Sequence, residues 1–157
     1  MSQLMLIDHD WLTQLVIIGQ VVLAMVLGGF IGFERELANK PAGFRTHTLV
    51  AGAAALFMAV AVASPDYLHA HGSVEIDPLR VAAAIVTGVS FLGAGTIFRS
   101  DGGSGGKVGG LTTAATIWLS AAVGMAVAMG QLIVAVGVTI VALVVLRRLW
   151  VLDRHRR

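Results

Sequence analysis

Uncharged apolar runs separated by short polar connectors organise this chain. A helix rises about 1.5 Å per residue and the hydrocarbon core of a bilayer is roughly 30 Å thick, so about 20 apolar residues are needed to cross it. The first run, Trp11 to Phe33, has length to spare. The second, Thr48 to Ser64, is nearer the minimum and is closed by Ser64-Pro65-Asp66, where proline cannot continue a helix and the acid favours water. The third, Val81 to Phe98, follows Asp77-Pro78-Leu79-Arg80, an N-cap acid with proline at the first helical position. From Val108 to Leu146 there is no charge, and one helix there would measure roughly 58 Å, about twice the membrane. It must turn back, and Met129-Gly130-Gln131 is the expected turn. The pattern predicts an all-α polytopic membrane protein. Its single domain over residues 1–157 is a bundle of five transmembrane helices at about 11–33, 48–64, 81–98, 111–128 and 132–146.

Composition agrees and excludes other classes. The 157 residues are 57% hydrophobic and 13% charged, against roughly 45–50% and 25% in a soluble domain. The absence of cysteine removes disulfides, thiolate metal sites and a cysteine nucleophile. Where the charges lie is more informative than their sum. Lys and Arg number none before the first helix, three after it (Arg35, Lys40, Arg45), one in the next connector (Arg80), then two (Arg99, Lys107), none, and five in the tail. Alternate connectors thus hold ten of eleven, and by the positive-inside rule the N-terminus is outside and the C-terminus cytoplasmic. Met1 to Asp10 carries acids and no base, so no secretory signal is expected there.

Small residues recur at every fourth position, which is one stripe on a helix. Helix one has Ala24, Gly28 and Gly32; helix two has Ala51, Ala55, Ala59 and Ala63; helix four has Thr112, Thr116, Ser120, Gly124 and Ala128. Small stripes let backbones approach closely, a main source of association in lipid. Packing accounts for the alanines, whereas the hydroxyls of helix four serve either packing or a polar path. Exposed glycine on helix one points to a homo-oligomer, a dimer in the simplest form.

The densest polar cluster is Glu34-Arg35-Glu36, continuing through Lys40 and Arg45 to His47, between helices one and two. Placed at the interface, such charges avoid the roughly 2.5–3.5 kcal/mol cost of mid-membrane burial. Salt bridges of Glu34 or Glu36 with Arg45 or Arg99 would neutralise this cytoplasmic mouth. On the other side Asp77 is a helix cap, and Arg80, the one base against the charge trend, calls for a partner, with Asp77 nearest. His69, His71 and Glu75 form too weak a pattern for a metal site, so no metal or cofactor is expected. The glycine loop before Lys107 fails as a phosphate-binding loop, because Asp101 and Val108 stand where glycine and a magnesium-holding hydroxyl are required. The tail bases follow a span directly, so the bilayer and not nucleic acid is their partner. No nucleophile, base and orienting acid fall together, and no catalytic residue is assigned.

Several longer motifs resemble the MgtC/SapB family of bacterial inner-membrane proteins. They are Gly28-Gly29-Phe30-Ile31-Gly32-Phe33-Glu34-Arg35-Glu36, Lys40-Pro41-Ala42-Gly43-Phe44-Arg45-Thr46-His47, Asp77-Pro78-Leu79-Arg80, Gly88 to Ile97, and Val108 to Trp118, in order over about Ala24 to Gly130. The resemblance implies a five-span, multi-pass inner-membrane protein. It also implies, for some members, association with magnesium limitation, acid stress and survival in host cells, including modulation of the membrane ATP synthase as a partner. It marks Glu34, Arg35, Glu36, Lys40, Arg45, His47, Asp77, Arg80, Arg99, Thr112, Thr113 and Trp118 as motif residues. Virulence-associated members carry a soluble domain after the last span, and the chain reads as a short form without it.

Three functions follow as expectations. The preferred one is a non-enzymatic membrane regulator that docks with another membrane protein. The alternative is a pathway for an ion, with magnesium as one candidate, or for a small solute, built on the hydroxyl line and the charged mouth. An intramembrane enzyme acting on lipid would rest only on Glu34, Glu36 and His47. A cation path calls for acids inside the membrane, and helices two to five contain none.

Overall fold

The computed structural model describes residues 2–63, 77–99 and 108–154, with side chains for 11–63, 77–99 and 108–147. The helices are α1 (Ser2–Leu37), α2 (Phe44–Ala63), α3 (Pro78–Ala94), α4 (Leu111–Ala128) and α5 (Leu132–Arg154). Between α3 and α4, β1 (Phe98–Arg99) pairs antiparallel with β2 (Val108–Gly109), Phe98 opposite Gly109 and Arg99 opposite Val108. Trp11–Leu37, Phe44–Ala63 and Leu111–Ala128 are each long and apolar enough to cross a membrane. The apolar stretches Pro78–Ala94 and Leu132–Arg147 are shorter.

Local chemistry sets most helix ends. α1 stops in a Schellman motif: Asn39 has a left-handed φ of 52°, Lys40 N–H reaches Arg35 O at 3.0 Å, and Asn39 N–H reaches Glu36 O at 3.0 Å. The same device ends α4 at Gly130, whose φ is 74°, with Gln131 N–H on Ala126 O at 2.9 Å and Gly130 N–H on Val127 O at 3.0 Å. This is the expected turn. α3 begins as its sequence predicts, with Pro78 in the first turn and Asp77 Oδ1 accepting the Leu79 N–H at 2.9 Å.

Four expected boundaries are corrected. α1 runs on through Glu34-Arg35-Glu36 to Leu37 and α2 starts at Phe44, so the polar cluster lies mostly on helix and not in a connector. α3 ends at Ala94 and not Phe98, because Phe98 and Arg99 pair with the strand before α4, and the two-residue strands depart from an all-α fold. α5 continues past Leu146 to Arg154.

The core lies where α1, α2 and α4 meet, around Leu27, Ile31, Met58, Ile117, Val123 and Val127. Close approach there depends on missing side chains. A Cβ on Gly28 would stand 2.5 Å from Ala51 Cβ and 2.6 Å from His47 O, and one on Gly32 would stand 2.8 Å from Gly43 O. Gly28 and Gly32 are thus consumed within the protomer, and the glycine of α1 that meets open space is Gly19.

Candidate functional site

Glu34, Arg35, Glu36, His47 and Thr116 gather where α1 passes into α2 and both meet α4. Glu34 and Arg35 lie on the last full turn of α1, their side chains 9% and 4% exposed. The carboxylate Oε2 of Glu34 accepts from Nε of Arg35, its sequence neighbour. Buried together, each charge gives the other a partner in place of the water that both have lost, so neither is left uncompensated. Glu36 turns the other way and accepts the Phe44 N–H at 2.9 Å. It therefore caps α2 from across the connector and places a negative charge at the positive end of that helix. Gly43 makes room for it, since a Cβ there would stand 2.8 Å from Glu36 Oε2.

His47, one turn into α2, is fully buried. Its Nδ1 bonds the Gly43 carbonyl at 2.9 Å and its Nε2 bonds Thr116 Oγ1 on α4 at 3.0 Å. A carbonyl only accepts, so Nδ1 carries a proton. Thr116 Oγ1 also lies 2.9 Å from Thr113 O, so on a neutral ring one hydroxyl proton has two acceptors to serve. A Cβ on Gly32, two residues before Glu34, would stand 2.9 Å from His47 Cβ, so the histidine packs against the end of α1 that carries the ion pair. Ion pair, imidazole and hydroxyl form one polar knot tying three helices.

The expected salt bridges to Arg45 and Arg99 are not formed. Glu34 is taken by Arg35 and Glu36 by the backbone of Phe44, while Lys40, Arg45 and Arg99 are exposed. Arg80 is likewise exposed, and the Asp77 carboxylate is engaged with the Leu79 N–H; among the described residues no acidic group pairs with Arg80. Along α4, Thr112 and Trp118 point outward, whereas Thr113, Thr116, Ser120 and Gly124 are buried. Ser120 Oγ donates to Thr116 O at 3.0 Å, the self-satisfied arrangement common for hydroxyls in apolar helices. A Cβ on Gly124 would drive into the Ala51 carbonyl of α2. From Thr116 to Gly124 the line is therefore pressed against α2, while Thr112 lies outside that contact.

Two polar groups were not singled out from sequence. Gln20 Nε2 donates to Ala128 O at 3.3 Å, tying the middle of α1 to the end of α4; its signal was an amide, one of two with Gln14, in an apolar run. Thr48 Oγ1 is buried beside Gly29 without a hydrogen-bond partner. Among the described residues no three His, Asp or Glu side chains come together as a metal set. The His69, His71 and Glu75 pattern, the glycine loop before Lys107 and the side chains of the basic tail beyond Arg147 lie outside the described residues.

The sequence model of the MgtC family matches residues 21–155. The chain is 42% identical over 112 residues to the putative magnesium transporter YhiD of Escherichia coli, covering 71% of this chain and 50% of that protein. It is 49% identical over 102 residues to protein MgtC of Brucella abortus, covering 65% of this chain and 38% of that protein. It is 43% identical over 124 residues to protein MgtC of Salmonella typhimurium, covering 78% and 48%. The chain thus spans about half the length of these curated relatives or less. No solved structure matches.

Proposed function

Because the chain belongs to the MgtC family, we propose that this membrane protein is a magnesium-related, non-enzymatic regulator that works as a packed helical scaffold and docks with another membrane protein. Its setting in this reading is the bacterial inner membrane, crossed five times, with the N-terminus outside and the C-terminus cytoplasmic. The relation to magnesium is supported by the name of the Escherichia coli relative, a putative magnesium transporter. The ATP synthase, implied by the family resemblance, is the first partner to test, and self-association is the second.

One observation carries the preference for a scaffold: Thr48 Oγ1 apart, the buried polar groups around His47 are engaged with one another or with backbone. Glu34 pairs with Arg35, Glu36 caps α2, His47 holds Thr116, and Thr116 and Ser120 of α4 bond within the bundle. An ion path needs polar groups left free to replace a hydration shell. A regulator needs a rigid body with exposed helix faces, and α5 offers one, with Ile133, Val134, Ile140, Val141 and Val144 turned outward. In lipid, docking on such faces is driven by close packing.

The alternative reading, transport of magnesium or a small solute, is favoured by the printed name of that same relative. One paired experiment separates the two. Purified protein in liposomes loaded with a magnesium indicator gives no flux above empty vesicles if the scaffold reading is right, while crosslinking in native membranes captures a second membrane protein. Flux that depends on Glu34 and Thr116 would replace this reading with the transport one, and crosslinks between copies of the chain alone would remove the partner.

A further inference from the structure

An open crevice separates α2 from α3, away from the polar knot. Its volume is about 890 Å³, and apart from Arg80 every lining residue is apolar. Ala53, Ala84 and Gly88 form its small-residue stretches, and a Cβ on Gly88 would meet nothing within 4 Å. Phe57 and Leu92 stand at its sides, 61% and 50% exposed. An apolar trench at hydrocarbon depth is filled by something apolar, since an empty one forfeits the contacts of its walls.

From these features we infer that the crevice is a phospholipid site, taking one acyl chain along α3 and an anionic headgroup phosphate at Arg80. The length fits: Arg80 to Leu92 spans about 18 Å at 1.5 Å per residue, close to the roughly 15 Å depth of one leaflet. The charge fits as well. Arg80 is the one charged residue of the lining, it is exposed, and it sits in the first turn of α3, where the helix dipole also favours an anion. Asp77 is the acid facing it from its own helix, and that carboxylate is engaged on the Leu79 N–H. Helix α2 brings Val60 and Ala61 to that end and no acid. A phosphate on a lipid supplies both halves of the complement.

This inference rests on the five-span reading, which puts α3 in the bilayer, and the test separates the two. The chain has no cysteine, so a nitroxide on Gly88→Cys reports one position. In nanodiscs, preferential contact with oxygen over a water-soluble nickel chelate is expected, and the opposite would refute the placement of α3. Lipid selectivity is read with spin-labelled phosphatidylglycerol and phosphatidylcholine. The native chain is expected to immobilise phosphatidylglycerol about fivefold more strongly, the effect of one favourable cation near a lipid surface. Arg80→Gln abolishes that preference, and Gly88→Leu, which fills the trench without meeting the fold, removes the site for both lipids. Gly137→Leu, on an open face of α5, changes neither. A lipid-facing nitroxide with equal immobilisation of the two lipids, or a preference that survives both Arg80→Gln and Gly88→Leu, would overturn the lipid site.

Discussion

Adding one methyl group at Gly124 tests the packing of the bundle directly. Gly124 lies at the contact between α4 and α2, where a Cβ would collide with the Ala51 carbonyl oxygen and stand 3.2 Å from Ala51 Cα. Backbone cannot rotate away as a side chain can, so the helices must part. Overpacking of a close contact costs about 1–3 kcal/mol, and a backbone collision places Gly124→Ala near 3 kcal/mol. Against that stands the gain of about 1 kcal/mol from replacing glycine by alanine inside a helix, leaving a net loss of about 2 kcal/mol. Gly137→Ala is the matched control: it is the same substitution on α5, where nothing lies within 4 Å, so only the propensity gain of about 1 kcal/mol remains. The two variants should therefore differ by about 3 kcal/mol, with opposite signs relative to the native chain. Reversible unfolding in mixed micelles of dodecyl maltoside and increasing dodecyl sulfate, followed by tryptophan fluorescence, reads this difference. Equal stabilities of Gly124→Ala and Gly137→Ala would show that α2 and α4 do not pack through this contact.

Other expectations follow from the polar knot and the helix ends. Arg35→Ala leaves the Glu34 carboxylate buried and unpaired, which costs about 3–5 kcal/mol in the same unfolding assay; the Glu34→Gln and Arg35→Met double variant should recover part of it, and no recovery would argue against the pair. Thr116→Val removes the α4 partner of His47 and should cost about 1–3 kcal/mol while Thr116→Ser costs little, so equal effects would exclude the hydrogen bond as the cause. Glu36→Ala deprives α2 of its cap and should cost about 0.5–2 kcal/mol, whereas a neutral result would mean that the Phe44 N–H finds another acceptor. Gly110 holds a φ of 87°, and a Cβ there would stand 2.8 Å from the Thr96 carbonyl carbon. Gly110→Ala should accordingly open the β1–β2 pair and speed tryptic cleavage after Arg99, and an unchanged digestion rate would contradict that geometry.

Short-range signals in the sequence carried a large part of this fold. The Asp77-Pro78 start of α3, the span of α4 and the reversal at Gly130 are decided by residues within a turn or two of one another, so their chemistry is readable without knowing what lies across from them. Charge-free runs and small-residue stripes likewise identify lipid-compatible helices with a close-packing face, because both depend only on helical periodicity. Other features depend on partners distant along the chain. His47 reads as one polar residue in a crowded segment, and its hydrogen bond to Thr116 joins residues 69 apart. After the early end of α3, Phe98 and Arg99 pair with Gly109 and Val108, partners further along the chain that local sequence does not reveal. The acids illustrate the limit most clearly. Their sequence places Glu34 and Glu36 at the end of an apolar run and offers several bases as partners. Tertiary structure gives Glu34 to its neighbour Arg35 and Glu36 to the backbone of the next helix. Periodicity decides that a helix has a face; the identity of whatever meets that face is fixed only when the helices pack, since a buried charge takes the partner that burial brings within reach.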